Sequence, residues 1–171
     1  AQRDTPAEDC SFRFAVAHDD THVRLAVRIT DDVLFQDPAL SRRPWLQDSV
    51  TIRVDARPVE VRTLARGMDK HNRAFLTVTL SPGQTPDGTI LYRRKYLPKG
   101  AEAVCVKTQT GYVAEVAIPH ACLNRAQGAR WRSIRVNVAA TDYDGVSDAG
   151  TTLWWRPDWR GALNQAETGV F

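Results

Sequence analysis

Tryptophan residues are the feature of this 171-residue chain whose type and spacing most directly suggest a binding chemistry. Five occur, three of them crowd the segment 153–160, and another lies just before a strand-like run at 50–54. An indole offers a flat apolar face, and charged or amide groups beside it offer hydrogen bonds at its rim. A pyranose ring needs both, because its C–H face is apolar and its hydroxyls require polar partners. The pattern therefore predicts an aromatic platform for a saccharide.

Two tryptophan walls with polar neighbours would make this platform a small slot. Trp154 and Trp155 are consecutive, so a strand would turn them to opposite faces, one toward the core and the other exposed or under a loop. We expect Trp45 to form one wall and a C-terminal tryptophan the other; the alternative is that the indoles plug the ends of the fold. The candidate carbohydrate-binding residues are Trp45, Trp154, Trp155, Trp159, Gln47, Arg156 and Arg160.

A second group of side chains with chemical potential is the acidic turn at 141–148. Asp142, Asp144 and Asp148 place several carboxylates around Gly145, and Ca²⁺ prefers several oxygen ligands. These three residues are the candidate metal ligands, for a structural calcium ion. The alternative is a polar hairpin whose aspartates bond their own backbone. Asp31 and Asp32 are a further, weaker candidate at the end of a predicted strand.

The three cysteines, Cys10, Cys105 and Cys122, are far apart and form no CxxC pair, which excludes a structural zinc site. One disulfide with one free thiol and three free thiols are both compatible with this spacing.

Catalytic and haem chemistry have weaker support. Glu115 lies in a predicted strand, where a paired structural carboxylate is expected rather than one of two glycosidase carboxylates. No Gly-x-Ser-x-Gly elbow is present. Met68 could ligate haem only with a distant second ligand such as His120, since His71 is three residues away and could not easily reach the opposite side of the iron; a lone methionine in a turn is more often a loop residue. We expect a non-catalytic domain without an organic cofactor.

Composition is typical of a globular chain, with 43% hydrophobic and 25% charged residues. Lysine and arginine number 23 against 20 acidic residues, a surplus too small to suggest a nucleic-acid or membrane binder. No run approaches the roughly 20 apolar residues of a membrane span. The basic stretch 92–99 is expected to be a solvated hairpin rim.

Apolar residues alternate with polar ones along most of the chain, which is typical of antiparallel sheet with one buried face. Turn signals separate the runs, and the best helical candidate is the short piece 119–126. Eight to ten short strands predict an all-β fold, an antiparallel β-sandwich with one short helical segment, as a single domain over residues 1–171. The clearest predicted strands cover 12–16, 23–30, 50–54, 76–80, 89–92, 103–107, 112–118, 134–138 and 151–155.

Several segments, in order, resemble the family 9 carbohydrate-binding modules. The more specific ones are Pro44-Trp45-Leu46-Gln47-Asp48-Ser49-Val50 and Ala114-Glu115-Val116-Ala117-Ile118-Pro119. The match continues through the alternating runs 12–32, Val136-Asn137-Val138 with Asp142 and Asp144, and Leu153-Trp154-Trp155.

The resemblance implies a β-sandwich that is an accessory domain of a secreted or periplasmic polysaccharide-active enzyme, with a neighbouring catalytic domain. Sugar-binding members hold a terminal sugar between two tryptophans, one at the position of Trp45 and one near the C-terminus, and calcium is commonly structural. This chain differs in having Thr51 where those members usually carry an acidic residue. A structural or interaction domain without sugar binding is the competing class.

Overall fold

The computed structural model describes residues 9–58, 75–83, 88–92, 97–156 and 171. Within them the chain forms nine strands, two short 3-10 helices (Pro38–Leu40 and Pro44–Leu46) and one α-helix, α1 (His120–Gln127). The strands are β1 (Cys10–His18), β2 (His22–Asp31), β3 (Ser49–Asp55), β4 (Phe75–Pro82), β5 (Thr89–Tyr92), β6 (Glu102–Thr108), β7 (Gly111–Pro119), β8 (Arg135–Asp142) and β9 (Thr151–Trp154).

The strands form two antiparallel sheets, which confirms the predicted β-sandwich. One sheet has four strands in the order β1-β2-β7-β6, and the other has five in the order β5-β4-β3-β8-β9. Every predicted strand is present, and α1 is displaced by one residue from the predicted helix. The alternation is informative because central strands such as β2 bury one face between the sheets.

The core lies between the two sheets and is built from β-branched and leucine side chains. Buried side chains of β2 alternate with exposed or partly exposed ones, and the inward side chains of β3 and β8 face them across the core. Such residues suit a pleated, buried face. The inward set of the three central strands is Val23, Leu25, Val27, Ile29, Val50, Ile52, Val54, Val136, Val138 and Ala140.

Between β2 and β3 the chain turns through the two 3-10 helices, which bring Trp45 to the end of the five-stranded sheet. Each helix begins at a proline, whose fixed φ suits a first helical position. The Asp37 side chain accepts a hydrogen bond from the Ala39 amide at 2.8 Å and caps the first helix. The backbone N–H of Asp48 donates to the Phe35 carbonyl at 3.2 Å and closes the excursion.

Candidate functional site

A transverse row of side chains crosses the outer face of the five-stranded sheet. On one side, Thr51 of β3 pairs with Thr79 of β4, which pairs with Tyr92 of the edge strand β5. On the other side, Thr51 pairs with Ala139 of β8, which pairs with Trp154 of the edge strand β9. The inward residues on either side of Thr51 are buried, so alternation turns the row outward. We call this the aromatic row; it consists of Tyr92, Thr79, Thr51, Ala139 and Trp154.

The outer face around the aromatic row is covered at some positions and partly open at others, including Thr77 and Thr141. Thr51 and Arg53 are partly exposed, and the Trp45 side chain beside the row is 41% exposed. The small, buried Thr79 and Ala139 form a floor between the aromatic edges. The covered outward residues around it are Ser49, Asp55, Ser81, Arg135 and Asn137.

Trp45 and Tyr92 form an aromatic corner at one side of this floor. Their ring centroids are 4.6 Å apart with an interplanar angle of 65°, an edge-to-face contact that fixes both rings. The Tyr143 hydroxyl donates to the Trp45 carbonyl at 3.4 Å. The indole is thus held in place while a large part of it faces solvent.

Arg53 and Trp154 form the opposite side. The Arg53 guanidinium carbon lies 4.7 Å from the centroid of the Trp154 ring, within the range of a cation–π contact. Burial lowers the pKa of the Arg53 guanidinium from its ordinary value, because desolvation penalises the charged form. Next to it, the Thr51 and Thr79 hydroxyls are joined at 2.9 Å. The floor therefore combines donors and acceptors with two aromatic edges.

Gln47, a predicted sugar partner, is in the protein interior. It is 0% exposed, and its amide nitrogen donates to the Ser81 hydroxyl at 3.2 Å. Its amide oxygen accepts from the Asp37 backbone N–H at 3.1 Å. Both ends of the amide hold the excursion between β2 and β3 in place, so the prediction that Gln47 contacts a ligand is corrected: it supports the loop that carries Trp45.

Trp155 points away from the row, as expected of the neighbour of Trp154. Its ring lies 4.8 Å from that of Phe14 and 6.1 Å from that of Phe171, in a cluster at the sheet edge. The Arg156 guanidinium lies over the Trp155 ring at 4.8 Å. The structure thus separates both residues from the row. Trp159 and Arg160 lie outside the described residues.

Two clusters of three carboxylates lie at the end of the sandwich where β2 and β8 end and β1 and β3 begin. In each cluster one carboxylate oxygen from each residue lies within 4.8 Å of the others. The inner cluster is buried and the outer one is largely exposed. The inner cluster consists of Asp31, Asp48 and Asp142, and the outer cluster of Asp9, Asp32 and Asp144.

The predicted metal ligands therefore do not share one point. Asp142 belongs to the inner cluster and Asp144 to the outer one, whereas Asp148 belongs to neither. The Asp148 carboxylate instead accepts a hydrogen bond from the Asp144 backbone N–H at 3.1 Å and closes the turn. The prediction of one site from the three is corrected, because β8 ends at Asp142 whereas Asp144 lies beyond the strand and joins the outer cluster.

Burial and mutual repulsion dominate the electrostatics of the inner cluster. Desolvation, followed by the charge of Asp31, raises the pKa of Asp48 to about 9 and that of Asp142 to about 7. Desolvation raises the pKa of Asp31 to about 6. Asp48 also accepts from the Tyr143 backbone N–H at 2.8 Å and from that of Phe35. Without a nearby positive charge, ionising all three of these buried carboxylates is unfavourable in free energy.

A divalent cation fits this arrangement. The buried Oδ1 atom of Asp142 has no hydrogen-bond partner among the described residues, which leaves a lone pair directed at no protein donor. Ca²⁺ prefers several oxygen ligands around it. The chemistry of the donor set is all oxygen, which disfavours zinc and copper relative to calcium or magnesium.

The residues of the rival functions are dispersed. Glu115 is exposed on the outer face of the four-stranded sheet and makes no ion pair with any described residue, so the expected structural pairing is absent. Met68 and His71 lie outside the described residues. His120 begins α1, at the other end of the sandwich from the acidic clusters. All three cysteines are free thiols, so the structure has no disulfide between them.

Sequence reasoning missed several site residues. The sequence predicts Tyr92 at a hairpin rim and Arg53 on the polar side of a strand, and it does not identify Asp9 or Asp48 as a ligand. A signal existed for Arg53, which shares an outward face with Thr51 two positions earlier. No local signal existed for Asp9 or Tyr92, whose positions depend on pairing between distant strands.

Comparisons with known proteins agree with this fold. Residues 1–162 match the family model described as carbohydrate family 9 binding domain-like. A family 9 module from Caldicellulosiruptor kristjanssonii in complex with glucose superposes with a TM-score of 0.67 at 15% identity, over 94% of this chain and 75% of that one. One from the same organism with cellotriose gives 0.52 at 14% identity, over 85% and 63%. No curated protein sequence matches significantly. Among the described residues, no helix has the length and hydropathy of a membrane span.

Proposed function

The chain belongs to the carbohydrate family 9 binding domain-like family, and we propose that it binds a saccharide over the aromatic row. Domains of this family are non-catalytic binding modules, and this domain is not an enzyme. The observation that carries the proposal is the placement of an exposed tryptophan, Trp45, beside a polar floor that a second tryptophan, Trp154, bounds.

In the proposed complex the apolar face of a sugar ring lies on Trp45. The edge-to-face contact with Tyr92 keeps the indole from rotating, so little side-chain entropy is lost on binding. Trp154 and Tyr92 are separated by four strand spacings, roughly 19 Å along the sheet. That width accommodates a sugar together with the Arg53 side chain rather than a tight clamp of two indoles.

Arg53 supplies the main hydrogen-bond donors in this proposal. Trp154 holds one side of the guanidinium, and a planar group so held can donate to two sugar oxygens at once. Thr51 contributes a hydroxyl at the position where the family resemblance implies an acidic residue. A neutral hydroxyl bonds sugar more weakly than a carboxylate. We expect dissociation constants on the order of 0.1 to 1 mM.

The biological setting that we propose is an accessory domain of a secreted or periplasmic polysaccharide-active enzyme. The support is the family membership, because a non-catalytic binding domain acts on a polysaccharide only through a catalytic partner. The competing role, a structural domain without sugar binding, predicts no ligand at the row.

Isothermal titration calorimetry with cellotriose and glucose tests the proposal, since solved family 9 modules hold these two ligands. We expect saturable heat with the unmodified domain and at least a fivefold loss of affinity in Arg53→Lys. Arg156→Lys is the matched control, because that guanidinium lies on Trp155 away from the row. No heat with any neutral glucan, or equal losses in both variants, would refute the site.

We also propose that the inner acidic cluster binds a structural calcium ion through Asp31, Asp48 and Asp142, and that the outer cluster forms a weaker site. The ion would supply the positive charge that the buried carboxylates lack and would tie the ends of β2, β3 and β8 together. A thermal unfolding scan with excess chelator, then with excess calcium, is the test. We expect calcium to raise the melting temperature by several degrees. Equal melting temperatures in both conditions would contradict it.

A further inference from the structure

A pocket, which we call the Trp131 pocket, lies at the other end of the sandwich from the acidic clusters, roughly 26 Å away along the nine residues of β1. It has a volume of about 1130 Å³ and lies between the β1–β2 turn, α1 and the loop that leads to β8. It is separate from the aromatic row, which lies on the other sheet. Its lining residues include His18, Asp20, His120, Arg125, Arg130 and Trp131.

Trp131 forms the aromatic wall of this pocket. The partly buried indole packs on the core, and its ring lies 5.2 Å from that of His120 and 5.7 Å from that of His18. The His120 backbone N–H donates to the Thr21 carbonyl at 2.8 Å and ties the helix to the turn. The Nε2 atom of His120 is buried and has no hydrogen-bond partner among the described residues.

The loop that carries Trp131 is held by side chains of α1. The Trp131 backbone N–H donates to the Asn124 side chain at 2.8 Å, and that of Arg132 to the Gln127 side chain at 3.1 Å. The Gln127 amide nitrogen also donates to the Ser133 carbonyl at 2.7 Å. These bonds fix the wall before any ligand arrives, which lowers the entropy cost of binding.

The charge of the pocket is predominantly positive. Arg125, Arg130 and Arg132 line it, are exposed, and form no ion pair with any described residue. Two carboxylates also line the pocket. Asp19 forms an ion pair with Arg24 at 2.9 Å, so Asp20 is the carboxylate that remains to face the arginines. Three guanidinium groups thus share an open concave surface with one unpaired carboxylate.

We propose that this pocket is a second ligand site, which binds an acidic saccharide such as a uronic acid. The indole of Trp131 offers an apolar face to the sugar ring, and guanidinium groups bind a carboxylate through two parallel hydrogen bonds. The exposed Asp20 carboxylate is suited to accept hydrogen bonds from sugar hydroxyls. The aromatic wall favours a sugar acid over a bare phosphate, because phosphate has no apolar face that could stack on the Trp131 indole.

Titration of the whole domain with digalacturonate, with cellotriose and with inorganic phosphate, followed by calorimetry, tests this site. We expect digalacturonate to bind and Arg125→Gln/Arg130→Gln to weaken it at least tenfold. The control Arg13→Gln/Arg28→Gln removes the same charge from exposed positions on the outer face of the four-stranded sheet. We expect this control and Trp45→Ala to retain digalacturonate binding.

Three outcomes would overturn the proposal. Equal losses in the two double variants would indicate nonspecific attraction to net charge. Phosphate that binds as tightly as digalacturonate and displaces it would indicate a simple anion site. Loss of digalacturonate binding in Trp45→Ala would place the acidic sugar at the aromatic row instead. Cellotriose binding that survives Arg125→Gln/Arg130→Gln would show that the row is independent of this pocket.

Discussion

At the residue scale, Trp45 is both exposed and held in place. It is 41% exposed, yet a ring contact with Tyr92 and a hydrogen bond to its carbonyl fix its position. A buried indole would serve only the core, and a loosely held one would lose entropy on binding. The fold therefore presents a rigid aromatic face to solvent, which is what stacking on a sugar requires.

Trp45→Ala is expected to remove most of the affinity for cellotriose, at least tenfold or about 1.4 kcal/mol. The free energy of unfolding should change by no more than about 1 kcal/mol, because the residue is largely outside the core. Calorimetry and urea denaturation measure the two quantities. Phe171→Ala, which truncates another partly exposed aromatic, is the control for binding. Unchanged cellotriose binding in Trp45→Ala would remove this residue from the site.

The three thiols should react at different rates in the folded domain. Cys10 and Cys105 are buried, and burial raises the pKa of both thiols, that of Cys105 to about 12. Cys122 is partly exposed, with its sulfur 3.6 Å from the Lys99 carbonyl. Ellman's reagent is expected to modify Cys122 first and the other two only on unfolding. Rapid reaction of two or more thiols in the native protein would contradict this order.

At the element scale, the turn between β6 and β7 depends on a glycine. Gly111 has a φ of +126°, and a Cβ atom there would lie 2.4 Å from the Ile29 carbonyl oxygen of β2. Gly111→Ala is expected to destabilise the domain by about 1–3 kcal/mol or more, because strain and a backbone clash combine. Gly128→Ala, whose Cβ would meet nothing within 4 Å, should cost less. Chemical denaturation that ranks the two variants the other way would contradict this.

The junction of β2, β3 and β8 should make stability depend on pH when no cation is bound. Folding raises the pKa values of Asp31, Asp142 and Asp48 to about 6, 7 and 9, above the roughly 3.9 of an unfolded aspartate. The folded state therefore binds more protons, and stability falls as pH rises from about 4 toward 9. In chelator, the urea midpoint should be lower at pH 8 than at pH 5, and calcium should reverse the loss at pH 8. A higher midpoint at pH 8 in chelator would contradict this.

The elements themselves were predictable from sequence, but their juxtaposition was not. Alternation located β2 and β3 because each buries one complete face, a local property of the chain. The aromatic row depends on β3 pairing with both β4 and β8, and on Tyr92 lying opposite Thr79. Pairing between strands distant in sequence leaves no period in the sequence itself, so Tyr92 and Asp9 could not be placed.

At the scale of the whole molecule, three surfaces are separated by the sandwich. The acidic clusters lie at one end, the Trp131 pocket at the other, and the aromatic row on the outer face of the five-stranded sheet. The two sheets share one core, so we expect them to unfold together. Because the core separates the surfaces, ligands at the row and in the pocket should bind independently.

The most direct test of the saccharide site is a titration of the ¹⁵N-labelled domain with cellotriose, followed by ¹H–¹⁵N correlation spectra. The account predicts that the indole signals of Trp45 and Trp154 and the backbone amides of Thr51 and Arg53 shift together, while the Trp131 indole stays unchanged. Shifts confined to the Trp131 pocket, or no saturable shift at any of these groups, would contradict the claim that the aromatic row binds sugar.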